Sequence, residues 1–140
     1  MQTTRELGED EAGLALEVII GELKRRKKAG VIAVADRHGE LLALWRMDGA
    51  PLSSATIATN KAFTAARERK PSGEVGRSSR EGGWDISYLG DRRYVGWDGG
   101  VPVTIGGAVA GAVAVSGLSG EEDAELATLA AKKIEERAGG

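Results

Sequence analysis

The sequence predicts an α/β domain built on a mostly antiparallel sheet with helices over its faces. Three observations carry this. Two pairs of apolar runs, each run of strand length, are joined by tight turns within 31–46 and 101–116. Hairpins of that kind build antiparallel sheets. Segments with helical apolar spacing precede, separate and follow the two hairpins. Each such helix must bury its apolar stripe, and a sheet offers the surface.

Thr3 and Glu6 have capping-box spacing, so the first helix is expected from near Glu9 to Lys28. Leu16, Ile19, Ile20 and Leu23 form its apolar face. Gly13 and Gly21 cost it about 1 kcal/mol each relative to Ala, which points to close neighbours at those positions. The run Lys24–Lys28 suits the negative end of the helix dipole, with Gly30 as the stop. Val31–Ala35 and Glu40–Trp45 pair around the turn Asp36-Arg37-His38-Gly39. Ser53 or Ser54 caps a second helix that ends at Lys70-Pro71 and carries Ile57, Ala58, Ala62, Phe63, Ala65 and Ala66 on one face. Residues 72–100 are rich in Gly, Ser and charge and are expected to be an irregular binding loop, with Tyr94–Trp97 a short edge strand. Val101–Ile105 and Ala108–Ser116 form the second hairpin around Gly106-Gly107, and Gly111 suggests a bulge or a close backbone approach. Ser119 and Glu122 cap the last helix, expected from about Gly120 to Arg137, and Glu121 to Asp123 suit its first turn.

The 140 residues suit one domain, 1–140, with no repeat and no second unit expected. There is no cysteine and a single histidine, His38, so thiolate metal sites, disulfides and multi-histidine sites are not expected, and no metal is assigned. A net charge of −2 argues against nucleic acid as a partner. No apolar run reaches about 18 residues, so no membrane partner is expected. The polar, acidic start lacks the order of a secretory leader, which makes the cytoplasm the expected location.

Four constellations can carry chemistry. Arg46-Met47-Asp48 leaves a strand with one cation and one anion; Arg46 can clamp a carboxylate, or simply pair with Asp48. Lys61 stands among small residues and can bind an anion or act as a base, or be a solvated helix lysine. Trp97-Asp98-Gly99-Gly100 lets backbone approach a ligand, although a bare Gly-Gly turn is a weak signal. Ser116-Gly117 feeds a helix N-terminus, where free amides and the dipole favour anions, with Glu121 to Asp123 opposing.

These pieces together resemble a known family. Val34-Ala35-Asp36 with Gly39, Arg46-Met47-Asp48-Gly49-Ala50, Ile57-Ala58 with Lys61-Ala62 and Thr64-Ala65, Gly99-Gly100-Val101-Pro102, and Gly111 to Gly117 with Asp123 occur in order. The series, over about residues 10–135, is similar to the GlcG/HbpS-like family, which includes haem-binding proteins and the C-terminal domain of PduO. The resemblance implies a profilin-like α/β/α fold, a five-stranded antiparallel sheet with helices on both faces. It implies self-association, from dimers to octamers. It also implies haem or corrinoid-related binding, redox sensing or a part in glycolate use. Haem is thereby a candidate cofactor, and its axial ligand would fall to His38, Met47, Tyr88 or Tyr94.

Three functions are therefore expected to compete. The first is a binding module for a small ligand or a tetrapyrrole, with Arg46, Lys61, Trp97, Gly99, Gly100, Ser116 and Gly117 around the site. The second is a metal-independent isomerase, lyase or hydratase on an organic acid, with Arg46 as carboxylate anchor and Lys61 or Asp48 as general base. The third is an accessory subunit whose alanine-rich helices, at 54–66 and 124–131, pack across an interface.

Overall fold

The structure is a computed structural model and describes residues 1–139. Helix α1 (Glu9–Arg25) leads into the hairpin of β1 (Val31–Asp36) and β2 (Leu41–Arg46). Helices α2 (Ser54–Glu68) and α3 (Ser72–Gly82) and a 3-10 turn (Ile86–Leu89) follow. The hairpin of β3 (Gly100–Ile105) and β4 (Ala108–Ser116) comes next, then α4 (Gly120–Gly139). The sheet order is β2-β1-β4-β3, antiparallel throughout.

Side-chain alternation divides the core. Ile32, Val34, Val103, Val113 and Val115 face α1 and α4, meeting Ile19, Leu23, Leu126 and Ile134. Val31, Ala33, Ala35 and Ala114 face α2, meeting Ala58 and Ala62. The second layer is almost all alanine, which lets α2 lie close to the sheet. The alanines of α2 and α4 are thus consumed inside their own chain, against the expectation that they pack across an interface.

The sheet has four strands, not five. Tyr94–Trp97 is no strand: the Val95 amide donates to Thr64 Oγ1 at 3.0 Å instead of to a ladder. Tyr94 stacks edge-on against buried Phe63 at 5.1 Å, and its hydroxyl donates to Glu68 at 3.1 Å. The Arg93 guanidinium lies 3.9 Å over the Phe63 ring. Side chains therefore satisfy and anchor this segment.

The stretch 72–100 also holds a helix where an irregular loop was expected. The glycines that argue against α3 are what lets it dock. A Cβ on Gly73 would enter the Asp98 carboxylate, and one on Gly76 would enter the Gly96 backbone.

The helix ends also differ. The amide of Gly8, not the pair Thr3 and Glu6, makes the first cap, donating to Glu11 Oε1 at 2.8 Å. Helix α1 stops at Arg25 rather than Lys28, because Lys27 turns left-handed at φ 57°. Gly13 and Gly21 have nothing near them, and no feature of the structure explains either glycine. At α4, Ser119 Oγ accepts from the Glu122 amide at 3.1 Å, as the spacing predicts. The Glu122 side chain instead reaches Lys28 at 2.7 Å and Arg26 at 3.0 Å. With Glu22 and Glu125, which also hold Arg26, this network ties the end of α1 to the start of α4. The basic run at the end of α1 is therefore more than a solvated complement to the dipole.

Candidate functional site

Four segments converge at one end of the sheet. They are the end of β4 with Gly117 and Leu118, the first turn of α4, the first turns of α2, and the Trp97–Gly99 turn that enters β3. Lys61 and Asp123 meet between them, each side chain only 3% exposed. Lys61 Nζ donates to Asp123 Oδ2 at 3.2 Å and to the Val115 carbonyl at 3.1 Å. Asp123 Oδ1 accepts from the Leu118 amide at 3.1 Å. One ion pair thereby joins α2, β4 and α4. Burial pushes the Asp123 carboxyl above the usual carboxylate range, against the pull of Lys61 and the Leu118 amide.

The turn behind this pair must be glycine. Gly99 adopts φ 133°, and a Cβ there would lie 2.6 Å from Lys61 Nζ. A Cβ on Gly100 would lie 2.4 Å from the Lys61 carbonyl oxygen. Ser72, at the start of α3, locks the turn by donating to the Trp97 carbonyl at 2.6 Å and accepting from the Gly100 amide at 2.9 Å.

A cavity of about 470 Å³ opens above the ion pair, with Pro51, Ser54, Trp97 and Ser116 among its walls. Ser54 and Ser116 are 3% and 4% exposed. Among the described residues, no polar side-chain atom sealed from solvent lacks a partner. Neither serine hydroxyl has a protein partner, so both open onto the cavity they line. A cation, two free hydroxyls and an aromatic rim give the makeup of a small polar ligand site.

Of the residues expected from sequence, Lys61, Trp97, Ser116 and Gly117 line this cavity, and Gly99 and Gly100 shape its back wall. Arg46 and Asp48 do not join them. Both are exposed, neither lines the cavity, and neither makes an ion pair among the described residues. β2 is an outer strand of the sheet, and its end delivers both side chains to solvent. Asp123 and Ser54 were not expected as site residues. The signal for Asp123 was present: it occupies the apolar stripe of α4 with Leu126, Ala127, Ala130 and Ile134. A carboxylate at a core position needs a buried partner.

The family model for haem degrading proteins of the HbpS-like type matches residues 7–132. The chain belongs to this HbpS-like family. An uncharacterised 15.0 kDa protein of Citrobacter freundii is 37% identical over 102 residues, 71% of this chain and 72% of that one. Protein GlcG of Escherichia coli K12 is 41% identical over 88 residues, and the match spans 61% of this chain and 62% of GlcG. The crystal structure of the Klebsiella pneumoniae protein ORFY superimposes with a TM-score of 0.88 at 28% identity, covering 96% of this chain and 94% of that one. The GlcG/HbpS-like resemblance read from the motifs is thus established, and so is a mixed α/β fold with an antiparallel sheet and helices. No helix of the described residues is long and apolar enough to cross a membrane.

Proposed function

We propose that this HbpS-like chain is a small-ligand-binding module and that the cavity above Lys61 and Asp123 is its site. One observation supports this most: Ser54 and Ser116, residues only 3% and 4% exposed, turn hydroxyls with no protein partner onto the cavity that the buried Lys61 also lines. Such hydroxyls are left free to bond a ligand that enters the cavity.

Haem is the first ligand to titrate, because the family is described as haem degrading. The cavity itself does not fit it. Among the described residues, no His, Met or Tyr lines the cavity, and the Lys61 nitrogen is held by Val115 and Asp123. His38 is exposed in the β1–β2 turn, where Asp36 Oδ1 accepts from its amide. Met47 is packed against the core, Tyr88 is exposed, and Tyr94 is engaged with Glu68. Haem on this protein would therefore sit outside the cavity. Native mass spectrometry with haem, read alongside the Soret band, tests this. A Soret band lost on His38→Ala and kept on Lys61→Met fits the reading. One lost on Lys61→Met in a folded protein, and insensitive to changes at His38, Met47, Tyr88 and Tyr94, overturns the exclusion of haem from the cavity.

The enzyme reading has little in this arrangement to support it. Its anchor Arg46 and alternative base Asp48 lie away from Lys61's cavity, and Lys61 Nζ serves as a donor to two oxygens.

We also propose that the chain self-associates through the outer edge of β2. Leu41, Leu42, Leu44 and Trp45 are all exposed there, with Leu44 at 40% and Trp45 at 49%. Exposed apolar edge strands template pairing with another chain. Light scattering of the purified protein tests it; a strict monomer at high concentration overturns it.

A further inference from the structure

We propose that the cavity takes one small carboxylate, held by the Lys61 ammonium with the Ser54 and Ser116 hydroxyls, and that capture of the anion brings a proton onto Asp123. The inference rests on the cavity being the ligand site and adds the chemical class.

Donor counting comes first. An ammonium has three N–H groups. Those of Lys61 that the fold uses go to the Val115 carbonyl and to Asp123 Oδ2. One remains for the cavity that Lys61 lines. Ser54, in the first turn of α2, and Ser116, at the end of β4, each add a free hydroxyl. Three donors, two from α2 and one from β4, suit the two oxygens of one carboxylate, which accepts through about four lone pairs. The first turns of α2 and α4 both border the cavity, and their amide ends favour negative charge. Trp97, Pro51 and Leu118 supply an apolar rim, which suits a short carbon chain behind the carboxylate.

Charge counting comes next. Lys61 from α2 and Asp123 from α4 already neutralise each other. Asp98, from the turn before β3, also borders the cavity but pairs outward with Arg77 of α3 at 3.1 Å. Glu122, next to Asp123, is held by Lys28 and Arg26. Among the described residues, no second cation lines the cavity. An entering anion would therefore leave two carboxylates on one ammonium in a buried place. Two carboxylates sharing a site raise each other's proton affinity, and Asp123 already sits above its usual range through burial. One proton from solvent on Asp123 restores neutrality: carboxylate, proton and open protein give a complex with Asp123 as the acid and Lys61 still charged. No other bond forms or breaks.

The test uses the full chain with acetate and with acetamide, its uncharged counterpart. Backbone amide shifts at Ser116 to Leu118 report where each binds, and calorimetry in two buffers of different ionisation heat counts protons. Acetate is expected to saturate those shifts with uptake of about one proton, and its affinity to fall about tenfold per pH unit above the Asp123 titration. Acetamide is expected to bind about tenfold more weakly or worse. Ser54→Ala and Ser116→Ala, which remove only a hydroxyl, are each expected to weaken acetate several-fold. Acetamide binding as tightly as acetate at the same amides overturns the carboxylate class and leaves the cavity reading standing. No shift with either probe overturns the cavity reading itself. Acetate binding without proton uptake overturns the coupling to Asp123.

Discussion

The Lys61–Asp123 pair decides how the site end of the fold holds together. Both groups are buried, so neither can be removed alone without stranding the other. Asp123→Ala is expected to cost about 3–5 kcal/mol, because the Lys61 ammonium keeps only the Val115 carbonyl. Replacing both at once, as Lys61→Met with Asp123→Leu, is expected to cost less than Asp123→Ala alone, since an apolar pair leaves no buried charge. Urea midpoints of the variants measure this; an Asp123→Ala protein as stable as the parent would show the pair to be uncoupled. Gly99 answers to the same geometry. At φ 133°, with Lys61 Nζ 2.6 Å from where a Cβ would stand, Gly99→Ala is expected to lose about 1–3 kcal/mol. The sign of the Asp123 titration is also fixed. Its carboxyl is raised in the folded state, so its contribution is full below the ordinary carboxylate range and declines as pH rises through the raised value.

At the scale of elements, the joint between α1 and α4 titrates the other way. Hydrogen bonds from Arg25 and then Arg26 hold the Glu22 carboxyl down to about 2, and Lys28 with Arg26 lowers Glu122. A depressed carboxyl stabilises the fold above its ordinary range, about 4.5, and that contribution is lost as pH falls towards about 2. Arg26→Ala is therefore expected to flatten the acid limb of stability, seen as a smaller drop in urea midpoint between about pH 6 and about pH 3. Helix α1 also carries two glycines that touch nothing, so Gly13→Ala and Gly21→Ala are each expected to add about 1 kcal/mol in the same assay. What the sequence made legible follows from what was local. Both hairpins, α1, α2 and α4 were readable because apolar period and turn glycines lie within each segment; Gly106 and Gly107, for example, both take positive φ at the β3–β4 turn. Helix α3 was not readable, because its small residues answer to Asp98 and Gly96, some twenty residues away. Lys61, Trp97 and Ser116 were legible as chemistry but not as neighbours. Arg46 and Asp48 looked equally chemical, and only the sheet order shows that an outer strand carries them away from the cavity.

At the scale of the molecule, β2 is where the fold is unfinished. It is an outer strand, yet four of its six residues are large, apolar and exposed. Edge strands of folded proteins are usually blunted by charge, proline or a covering element. The β1–β2 ladder shows which backbone groups are free. The Met47 amide donates to the Gly30 carbonyl at 3.1 Å, one step beyond the Val31–Arg46 pair. Alternation along an antiparallel strand then turns the backbone of Ala43 and Trp45 towards β1 and that of Leu44 and Arg46 outward, as far as the bulge that leaves Leu42 with no partner residue on β1. A second copy laid antiparallel about a twofold axis at Ala43 sets Leu42 against Leu44 and Leu41 against Trp45, and brings Glu40 towards Arg46. The outward backbone groups of Leu44 then face the partner strand, the apolar side chains pair with one another, and no like charges meet. Such an interface uses the same patch on both subunits, as twofold symmetry requires. Leu44→Lys places two lysines near that axis without touching the buried core, since Leu44 is 40% exposed. It is expected to shift the scattering mass towards the monomer while leaving the fold and acetate binding unchanged. A Leu44→Lys protein that keeps the parent's mass would move the interface away from β2. A parent that is itself monomeric would mean that this edge stays open in solution.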